Sequence, residues 1–192
     1  MNVQLIHEHS VAVDLLTGGV CIDVGCRGFG FSEAMRDYGC EVWAFDMEDF
    51  AAPDGVTYKK MAVSNWTGSG FFKDTLDPQA KHLITGSGIP VDVININDLL
   101  VEFDSKGYVD VLKLDCEGSE YLILSDPNFQ PIPLQISVEF HEHCHKDLHA
   151  KYFNACMENL LKHYVPVKHE RYPAHGAGWN WWDSLFIRKD LL

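Results

Sequence analysis

The sequence contains no long hydrophobic run. Its 192 residues are 46% hydrophobic, yet no stretch approaches the roughly 18 uninterrupted apolar residues that a membrane span requires. The N-terminus, MNVQLIHEHS, carries His and Glu where a secretory signal would have basic and then apolar residues. We therefore expect a cytoplasmic protein that has no membrane partner.

Basic residues are scarce. The chain has 15 Lys and Arg against 28 Asp and Glu, which gives a formal net charge of −13. No run of Lys or Arg interrupts this acidic background. Binding to a phosphate backbone usually needs a basic face, so we do not expect nucleic acid as a partner.

Paired cysteines are absent as well. None of the six cysteines forms a C-x-x-C motif, so the spacing of zinc fingers and thioredoxin-like sites is missing. The cysteines are expected to be reduced and mostly packed in the interior.

Apolar runs bounded by turn residues predict buried β-strands. The runs are GGVCIDVG, CEVWAFD, VDVLKLD and LQISVEF. They are rich in Val, Ile, Leu and Phe without strict alternation, which suits a parallel sheet covered on both faces. Between them lie the helical segments FSEAMRDYG, INDLLVEFDSKG and KDLHAKYFNACMENLLKHY. This alternation predicts one α/β domain over residues 1–192, with a Rossmann-like doubly wound, mostly parallel sheet in three layers.

The segment from Val56 to Val93 departs from this alternation. Short β-like pieces, VTYKKMAV and GFFKD, are mixed with two TGSG turns at residues 67–70 and 85–88. We predict loops over the sheet edge here. The tail SLFIRKDLL is predicted to be a last strand, for which an antiparallel orientation is open.

A glycine-rich turn follows the first predicted strand. In VCIDVGCRGFG the strand runs into Asp23, and glycines follow at positions 25, 28 and 30. Glycine permits a tight turn and a close approach of a ligand to the backbone. The spacing G-x-x-G-x-G differs from that of the dinucleotide fingerprint, which favours a nucleoside cofactor without a pyrophosphate. S-adenosylmethionine is the candidate, with its amino-acid end near Asp23 and the loop.

A second carboxylate is suited to a ribose. Asp46 closes the second predicted strand, where an acid can accept hydrogen bonds from both ribose hydroxyls. No Arg follows Asp46 to hold a 2′-phosphate, and an NAD-dependent oxidoreductase stays an alternative. The predicted cofactor-binding residues are Asp23, Gly25, Arg27, Gly28, Gly30, Asp46 and Asp115.

Three carboxylates follow the third predicted strand. The stretch VDVLKLDCEGSEYLIL carries Asp115, Glu117 and Glu120. Like charges repel one another and each prefers water, so this cluster at the end of a buried strand suggests a function. Lys113 lies inside the strand and needs a partner, for which Asp23 and Glu139 are candidates.

Several segments together resemble a known family. The chain carries, in the order seen in FkbM-type S-adenosylmethionine-dependent methyltransferases, the segments CIDVGCRGFGFSEAM, MAVSNWTGSGFF, VDVININDLL, VDVLKLDCEGSEYLIL and ISVEFH. The resemblance covers most of the chain, and its most specific part is K-x-D-x-E-G-x-E, from Lys113 to Glu120. The chain departs from the family pattern at Arg27, where Asn is common, and at Asn97, where Asp is usual.

The resemblance implies a seven-stranded class I methyltransferase fold. It also implies transfer of a methyl group from S-adenosylmethionine, usually to a hydroxyl oxygen of a sugar, a polyketide or a related natural product. We therefore expect O-methylation of a small-molecule hydroxyl acceptor, with a carbohydrate as one candidate.

The acids after the third strand are expected to serve this reaction. Methyl transfer is an in-line displacement, and an alcohol is a poor nucleophile unless a base removes its proton. Asp115 is the first choice for that base or for the hydrogen-bond partner of the acceptor hydroxyl, and Glu117 is the second. Glu120 is expected to cap the following helix.

A second polar cluster follows the next strand, in ISVEFHEHCHKDLH. Glu139, His141 and His143 would share one strand face and line the acceptor site, with His141 as an alternative base. Asp115, Glu139 and His141 could instead bind a divalent metal that lowers the pKa of the acceptor. This metal-dependent O-methyltransferase is the first alternative, and a non-catalytic nucleoside-binding or interaction module is the second.

Three tryptophans lie in the segment HGAGWNWWDS. Aromatic faces stack on sugar rings and flat acceptors, while packing over the sheet edge or a dimer contact is the other explanation. We expect one of the three, Trp181, to line the substrate pocket.

Overall fold

The computed structural model describes residues 1–73, 82–84, 86–105, 107–142, 146–173 and 180–192. The strands are β1 (Val3–Ile6), β2 (His9–Ala12), β3 (Val20–Val24), β4 (Glu41–Asp46), β5 (Val56–Lys60), β6 (Ala62–Ser64), β7 (Gly68–Phe72), β8 (Leu83–Ile84), β9 (Ile89–Asn95), β10 (Val109–Leu114), β11 (Gln135–Phe140), β12 (Tyr164–Pro173) and β13 (Asn180–Arg188). The helices are α1 (Gly30–Asp37), α2 (Ile96–Asp104), α3 (Ser119–Leu124) and α4 (Lys146–His163).

Seven strands form the main sheet, in the order β12-β13-β11-β10-β3-β4-β5. The strands from β11 through β10, β3 and β4 to β5 are parallel, and β13 is antiparallel to both of its neighbours. Successive strands are added on one side of β3 up to β5 and on the other side from β10 onward, so the strand order switches direction between β3 and β10. Open α/β sheets bind ligands at such a switch point, outside the carboxyl ends of the strands. The predicted mostly parallel doubly wound sheet is confirmed, and the C-terminal strand is antiparallel.

Burial on both faces explains the unbroken apolar runs, since every residue of β3 and β10 is buried. On one face, helices α2, α3 and α4 pack through side chains such as Leu100, Ile123 and Leu160. On the other face, Met35 of α1 and Val11 of the β1–β2 hairpin cover the sheet. The three layers are as predicted, but a β-hairpin supplies part of the layer in which helices were expected.

The helices match their sequence signals closely. Helix α1 buries Phe31 and Met35 on one side and is followed by Gly39, whose φ of +91° is the left-handed conformation typical beyond a helix end. Helix α2 begins after Asn95, whose side chain accepts a hydrogen bond from the backbone N–H of Asn97 at 2.9 Å. None of the described helices combines the length and the apolar character needed to cross a bilayer.

The β-like pieces predicted between Val56 and Val93 are confirmed as strands in the described part of that segment, whereas the prediction of a loop at the first TGSG is wrong. Strand β5 joins the main sheet, and β6 to β9 form a second sheet in the order β6-β9-β7-β8. Most of the first TGSG segment lies in β7, which pairs with β9. A Cβ added to Gly70 would lie 3.0 Å from Leu83 and 3.1 Å from Val93. This glycine therefore makes room for packing between strands rather than forming a turn.

Candidate active site

A cavity of about 680 Å³ opens at the carboxyl ends of β4, β3, β10 and β11. It is lined by most of the residues that the sequence singled out. These are Asp23, Gly25, Arg27, Gly30, Asp46, Asp115, Glu117, Glu139, His141 and Trp181. Gly28 belongs to the same loop without lining the cavity, and His143 lies outside the described residues. Parallel strands end at one edge of a sheet, which is why distant segments of the sequence converge here.

The ends of β3 and β10 are in close contact at Gly25. Its φ is +78°, in the left-handed region, and a Cβ added there would lie 1.8 Å from the carbonyl oxygen of Asp115. Only glycine can satisfy both conditions. This contact joins the glycine-rich loop to the acidic segment after β10.

A buried ammonium group forms the floor of the site. The Nζ of Lys113 lies 2.9 Å from Oδ1 of Asp23 and 3.5 Å from Oδ2 of Asp115, and it donates to the carbonyl of Gly25 at 2.6 Å. Burial lowers the pKa of Lys113, but the two carboxylates outweigh this effect and raise it above its ordinary value. Lys113 therefore stays charged. Of the two partners suggested from the sequence, it pairs with Asp23.

Asp115 lies at the centre of the site, between three cationic or hydrogen-bonding groups. Besides Lys113, Nε2 of His9 lies 3.3 Å from its Oδ2 and Nε2 of His141 lies 3.4 Å from its Oδ1. Burial raises the pKa of Asp115, but Lys113 and the two histidines outweigh burial and hold that pKa well below its usual value. Asp115 is therefore a carboxylate across the physiological pH range.

Glu120, which is fully buried, contacts both the backbone and the imidazole of His141. Oε1 of Glu120 accepts from the backbone N–H of His141 at 3.2 Å and lies 3.1 Å from its Nδ1. The other oxygen accepts from the backbone N–H of Gly118 at 2.8 Å, just before helix α3. Burial lowers the pKa of His141, but Glu120 and the hydrogen bond to Asp115 raise it well above its ordinary value. Glu120 thus does more than the helix capping expected of it, because it orients a charged imidazole.

Two further acids face the same imidazole. Nε2 of His141 lies 3.7 Å from Oε1 of Glu117 and 3.7 Å from Oε1 of Glu139. Burial, with smaller contributions from neighbouring acids, raises the pKa of Glu117 to about 8 and that of Glu139 to about 7. Near neutral pH the cluster therefore combines a permanent carboxylate, Asp115, with two acids that exchange protons in that range.

Sequence reasoning missed the part of the site that the N-terminal hairpin supplies. The turn between β1 and β2 places His7, Glu8 and His9 along the cavity. His7 and Glu8 have φ of 43° and 72°, which is uncommon for residues other than glycine and recurs at functional sites. The signal was the HEH triplet in the N-terminal ten residues. Only the packing of β2 against the main sheet brings that triplet to the strand ends.

Aromatic residues of β12 and β13 line part of the cavity. Trp181 of β13 stacks on Tyr172 of β12, with ring centroids 5.9 Å apart and planes at 17°, and both line the cavity. Trp182 points to the opposite face, where it packs on His169 and Phe153. Trp179 is outside the described residues. Trp181 therefore lines the cavity, and its contact with a substrate stays a prediction.

A metal ion would find its closest donors in a different set from the one expected. Among the described residues, ligand atoms of His9, Asp115 and Glu139 lie within 4.8 Å of one another, so His9 takes the place that the sequence suggested for His141. The Lys113 ammonium group is 3.5 Å from Asp115 and would repel a dication there. The Lys113 ammonium group therefore opposes a dication bound at Asp115.

The sequence model described as "Methyltransferase FkbM domain" matches residues 29–162. The chain belongs to the FkbM methyltransferase family. As FkbM-type enzymes use S-adenosylmethionine, this compound is the methyl donor. A search of curated proteins finds no match.

Two solved structures resemble the FkbM chain in fold. One is Burkholderia thailandensis 1,6-didemethyltoxoflavin-N1-methyltransferase with bound 1,6-didemethyltoxoflavin and S-adenosylhomocysteine, with 15% identity, a TM-score of 0.41, and coverage of 88% of this chain and 70% of that chain. The other is a putative DNA modification methyltransferase encoded within a prophage of E. coli, with 10% identity, a TM-score of 0.50, and coverage of 90% of this chain and 47% of that chain. The chain thus spans about half the length of the second protein. At 10% identity the likeness to the second structure concerns the fold alone, and the first, with a TM-score below 0.5, supports no conclusion.

The cavity of this FkbM protein fits S-adenosylmethionine. Its volume is in the range of cofactor sites, and the half-buried Asp46 ends β4 beside the glycine-rich loop. The acidic cluster after β10 suits the positive sulfonium. Asp46 and the Gly25–Gly30 loop would hold the nucleoside, and Arg27 is exposed and available to a carboxylate.

Replacing Asp46 with alanine is expected to weaken the binding of S-adenosylhomocysteine about ten- to a hundredfold, because a hydrogen bond to a charged acceptor contributes about 1.5–3 kcal/mol. Isothermal titration calorimetry measures this. Asp49→Ala is the matched control, since Asp49 is exposed and pairs with Lys60 on the surface. Equal affinities of Asp46→Ala and the parent protein would contradict the ribose assignment.

Proposed function

We propose that the protein is an O-methyltransferase that transfers the methyl group of S-adenosylmethionine to a hydroxyl of a small molecule, with a carbohydrate as the leading candidate. The observation that carries the proposal is the pair of unequal acids after β10. Asp115 is permanently ionised, while the pKa of its neighbour Glu117 is raised by burial to about 8. An alcohol acceptor needs such a base, and a base is most effective when its pKa is near the working pH.

Glu117 is the general base in this proposal. Its side chain lines the cavity, and its Oε2 has no hydrogen-bond partner among the described residues, so no other protein group competes for that oxygen. The sequence-based first choice, Asp115, is less suitable because a carboxylate of low pKa is a weak base. Asp115, which as a carboxylate can only accept, orients the acceptor by accepting a hydrogen bond from a second hydroxyl, because the one proton of the reacting hydroxyl goes to Glu117.

His141 supports these acids rather than acting as a base. Its raised pKa keeps the imidazole protonated near neutral pH, and a protonated imidazole cannot accept a proton. Glu120 fixes its Nδ1, so that Nε2 faces Asp115, Glu117 and Glu139. This imidazolium lowers the energy of a carboxylate on Glu117 at the moment when the acceptor proton has to leave.

The electron and proton changes balance within these groups. S-adenosylmethionine supplies an electrophilic methyl group on a positively charged sulfur. The acceptor oxygen forms the new bond to carbon as the carbon–sulfur bond breaks and its electron pair stays on sulfur. Glu117 takes the proton of the reacting hydroxyl, and the hydrogen bond from a second hydroxyl to Asp115 holds the reacting oxygen in line with the methyl group.

The test is a turnover assay with methyl-labelled S-adenosylmethionine and a panel of sugars and other polyols, with the methylated atom identified by NMR. We expect labelled methyl ethers. In Asp115→Asn we expect turnover to fall about a hundredfold, with S-adenosylhomocysteine affinity changed severalfold at most. Glu158→Gln, an exposed acid on α4, is the control. Methylation on nitrogen alone, or equal rates for Asp115→Asn and the parent, would refute the proposal.

A chelator arm distinguishes the metal-dependent alternative. Under the base mechanism, turnover is unchanged by EDTA and by added Mg²⁺. Loss of turnover in EDTA and its return with one divalent ion would show that a metal held near Asp115, rather than Glu117, activates the acceptor hydroxyl.

A further inference from the structure

Two carboxylates lie side by side on neighbouring strands that line the cavity. Glu139 of β11 pairs in register with Asp183 of β13, and both side chains line the cavity. Residues directly opposite in an antiparallel pair have adjacent side chains, and like charges at such positions destabilise the sheet. An arrangement that is unfavourable for the fold and faces a cavity points to a ligand.

Asp183 has an acceptor atom left over. Its side chain is 5% exposed, and its Oδ2 accepts from Nζ of Lys168 at 2.5 Å and from Oγ of Ser10 at 3.4 Å. Its Oδ1 is buried and has no hydrogen-bond partner among the described residues. Buried acceptors are nearly always satisfied, so this atom is expected to meet a donor when the cavity is filled.

The local charge favours a cationic donor. Glu8, from the turn of the N-terminal hairpin, also lines the cavity and adds to the negative charge felt by Glu139. His141 lies 3.7 Å from Glu139, but it also faces Asp115, Glu117 and Glu120. Lys168 is the other cation here and is paired with Oδ2 of Asp183 at 2.5 Å. The carboxylates Glu8, Glu139 and Asp183 therefore outnumber the two nearby cations, and an anionic ligand would be repelled.

The stacked rings of Tyr172 and Trp181 border the same region. Aromatic faces attract cations through their quadrupole and pack against the apolar faces of sugar rings. A ring that carries both hydroxyl groups and an ammonium group would match all of these surfaces.

We propose that Glu139, Asp183 and Glu8 form an ammonium subsite, so that the acceptor is an amino alcohol such as an amino sugar. This inference rests on the proposed O-methylation in the same cavity. The ammonium group donates to Oδ1 of Asp183 and to Glu139, which leaves the neighbouring hydroxyl beside Asp115 and Glu117. N-acetylated, phosphorylated and carboxylated sugars lack the charge that this subsite requires.

Calorimetry in saturating S-adenosylhomocysteine tests the subsite with four probes: 2-amino-2-deoxyglucose, its N-acetyl derivative, glucose and glucuronic acid. We expect the amine to bind about tenfold or more tightly than glucose, and glucuronic acid to bind least. Asp183→Asn and Glu139→Gln should each bring the affinity for the amine close to that for glucose. Glu158→Gln, on the opposite face of the sheet, should keep the preference.

Each other outcome counts against a specific part of the scheme. If glucose or glucuronic acid binds as well as the amine, or if the amine does not bind while S-adenosylhomocysteine does, the ammonium subsite is wrong and O-methylation of another acceptor stands. An amine preference that survives in both Asp183→Asn and Glu139→Gln also overturns it. If methylation is found on the amine nitrogen, the proposed O-methylation fails instead.

Discussion

Replacing Glu117 with glutamine is expected to lower the turnover number by about 10²–10⁴-fold, the usual contribution of general acid–base catalysis. The amide has nearly the same shape as the carboxylate but cannot accept the acceptor's proton. The backbone at this position, with φ of 47°, carries the same strain with either side chain. The affinity for S-adenosylhomocysteine should therefore remain close to that of the parent, and calorimetry on the folded variant checks this.

The pH profile provides a second readout for Glu117. The group is active as a base only when ionised, and its pKa is raised to about 8, so kcat/KM for the acceptor should rise as the pH rises through this value. Bound S-adenosylmethionine carries positive charge and shifts the midpoint downward. In Glu117→Gln this rise should disappear, while Glu158→Gln retains it. A rise that persists unchanged in Glu117→Gln would assign the titration to another group.

Replacing Gly25 with alanine is expected to produce the largest loss of stability, about 2–5 kcal/mol in the free energy of unfolding. An alanine there adopts an unfavourable positive φ, and its Cβ would lie 1.8 Å from the carbonyl oxygen of Asp115. That neighbour is backbone at the end of a buried strand and cannot rotate away. The binding of S-adenosylhomocysteine should weaken as well, because the loop and the acidic segment are forced apart.

The variant Gly39→Ala separates the two causes of the expected stability loss, the positive φ and the steric contact of the Cβ. Gly39 also has a positive φ, of +91°, but a Cβ there would meet nothing within 4 Å. Its replacement should therefore cost only the conformational penalty of about 1–2 kcal/mol. Denaturant titration measures both variants under the same conditions. Equal losses at the two positions would show that the contact with Asp115 relaxes easily.

The acidic segment after β10 illustrates how far sequence reasoning reaches. The run VDVLKLD ends a buried strand, so Asp115 and Glu117 could be assigned to the sheet edge from sequence alone. Their different acidities could not, because these depend on Lys113, His9 and His141, which come from three different strands or their ends. Side-chain distances of 3–4 Å decide a pKa, and they are a property of packing.

The second sheet and the N-terminal hairpin show where local reasoning fails. The alternating Gly and Ser of TGSG resemble a turn, but in β7 they allow close strand packing. The HEH triplet is visible in the sequence, but the place of His9 in the site follows from the packing of β2 against β11 and β13. Gln135 fixes that placement by exchanging two hydrogen bonds with the backbone of Ala12.

The sequence by itself determined the α/β class, the glycine-rich loop and the strand-end acids, because apolar periodicity and glycine spacing are local properties of a chain, and the order of its motifs indicated the FkbM family. The tertiary structure alone decided how the acidities of Asp115 and Glu117 differ, which residues join from the termini, and that Glu139 faces Asp183. These features depend on contacts between residues far apart in the chain, and no local pattern encodes the distances that such contacts require.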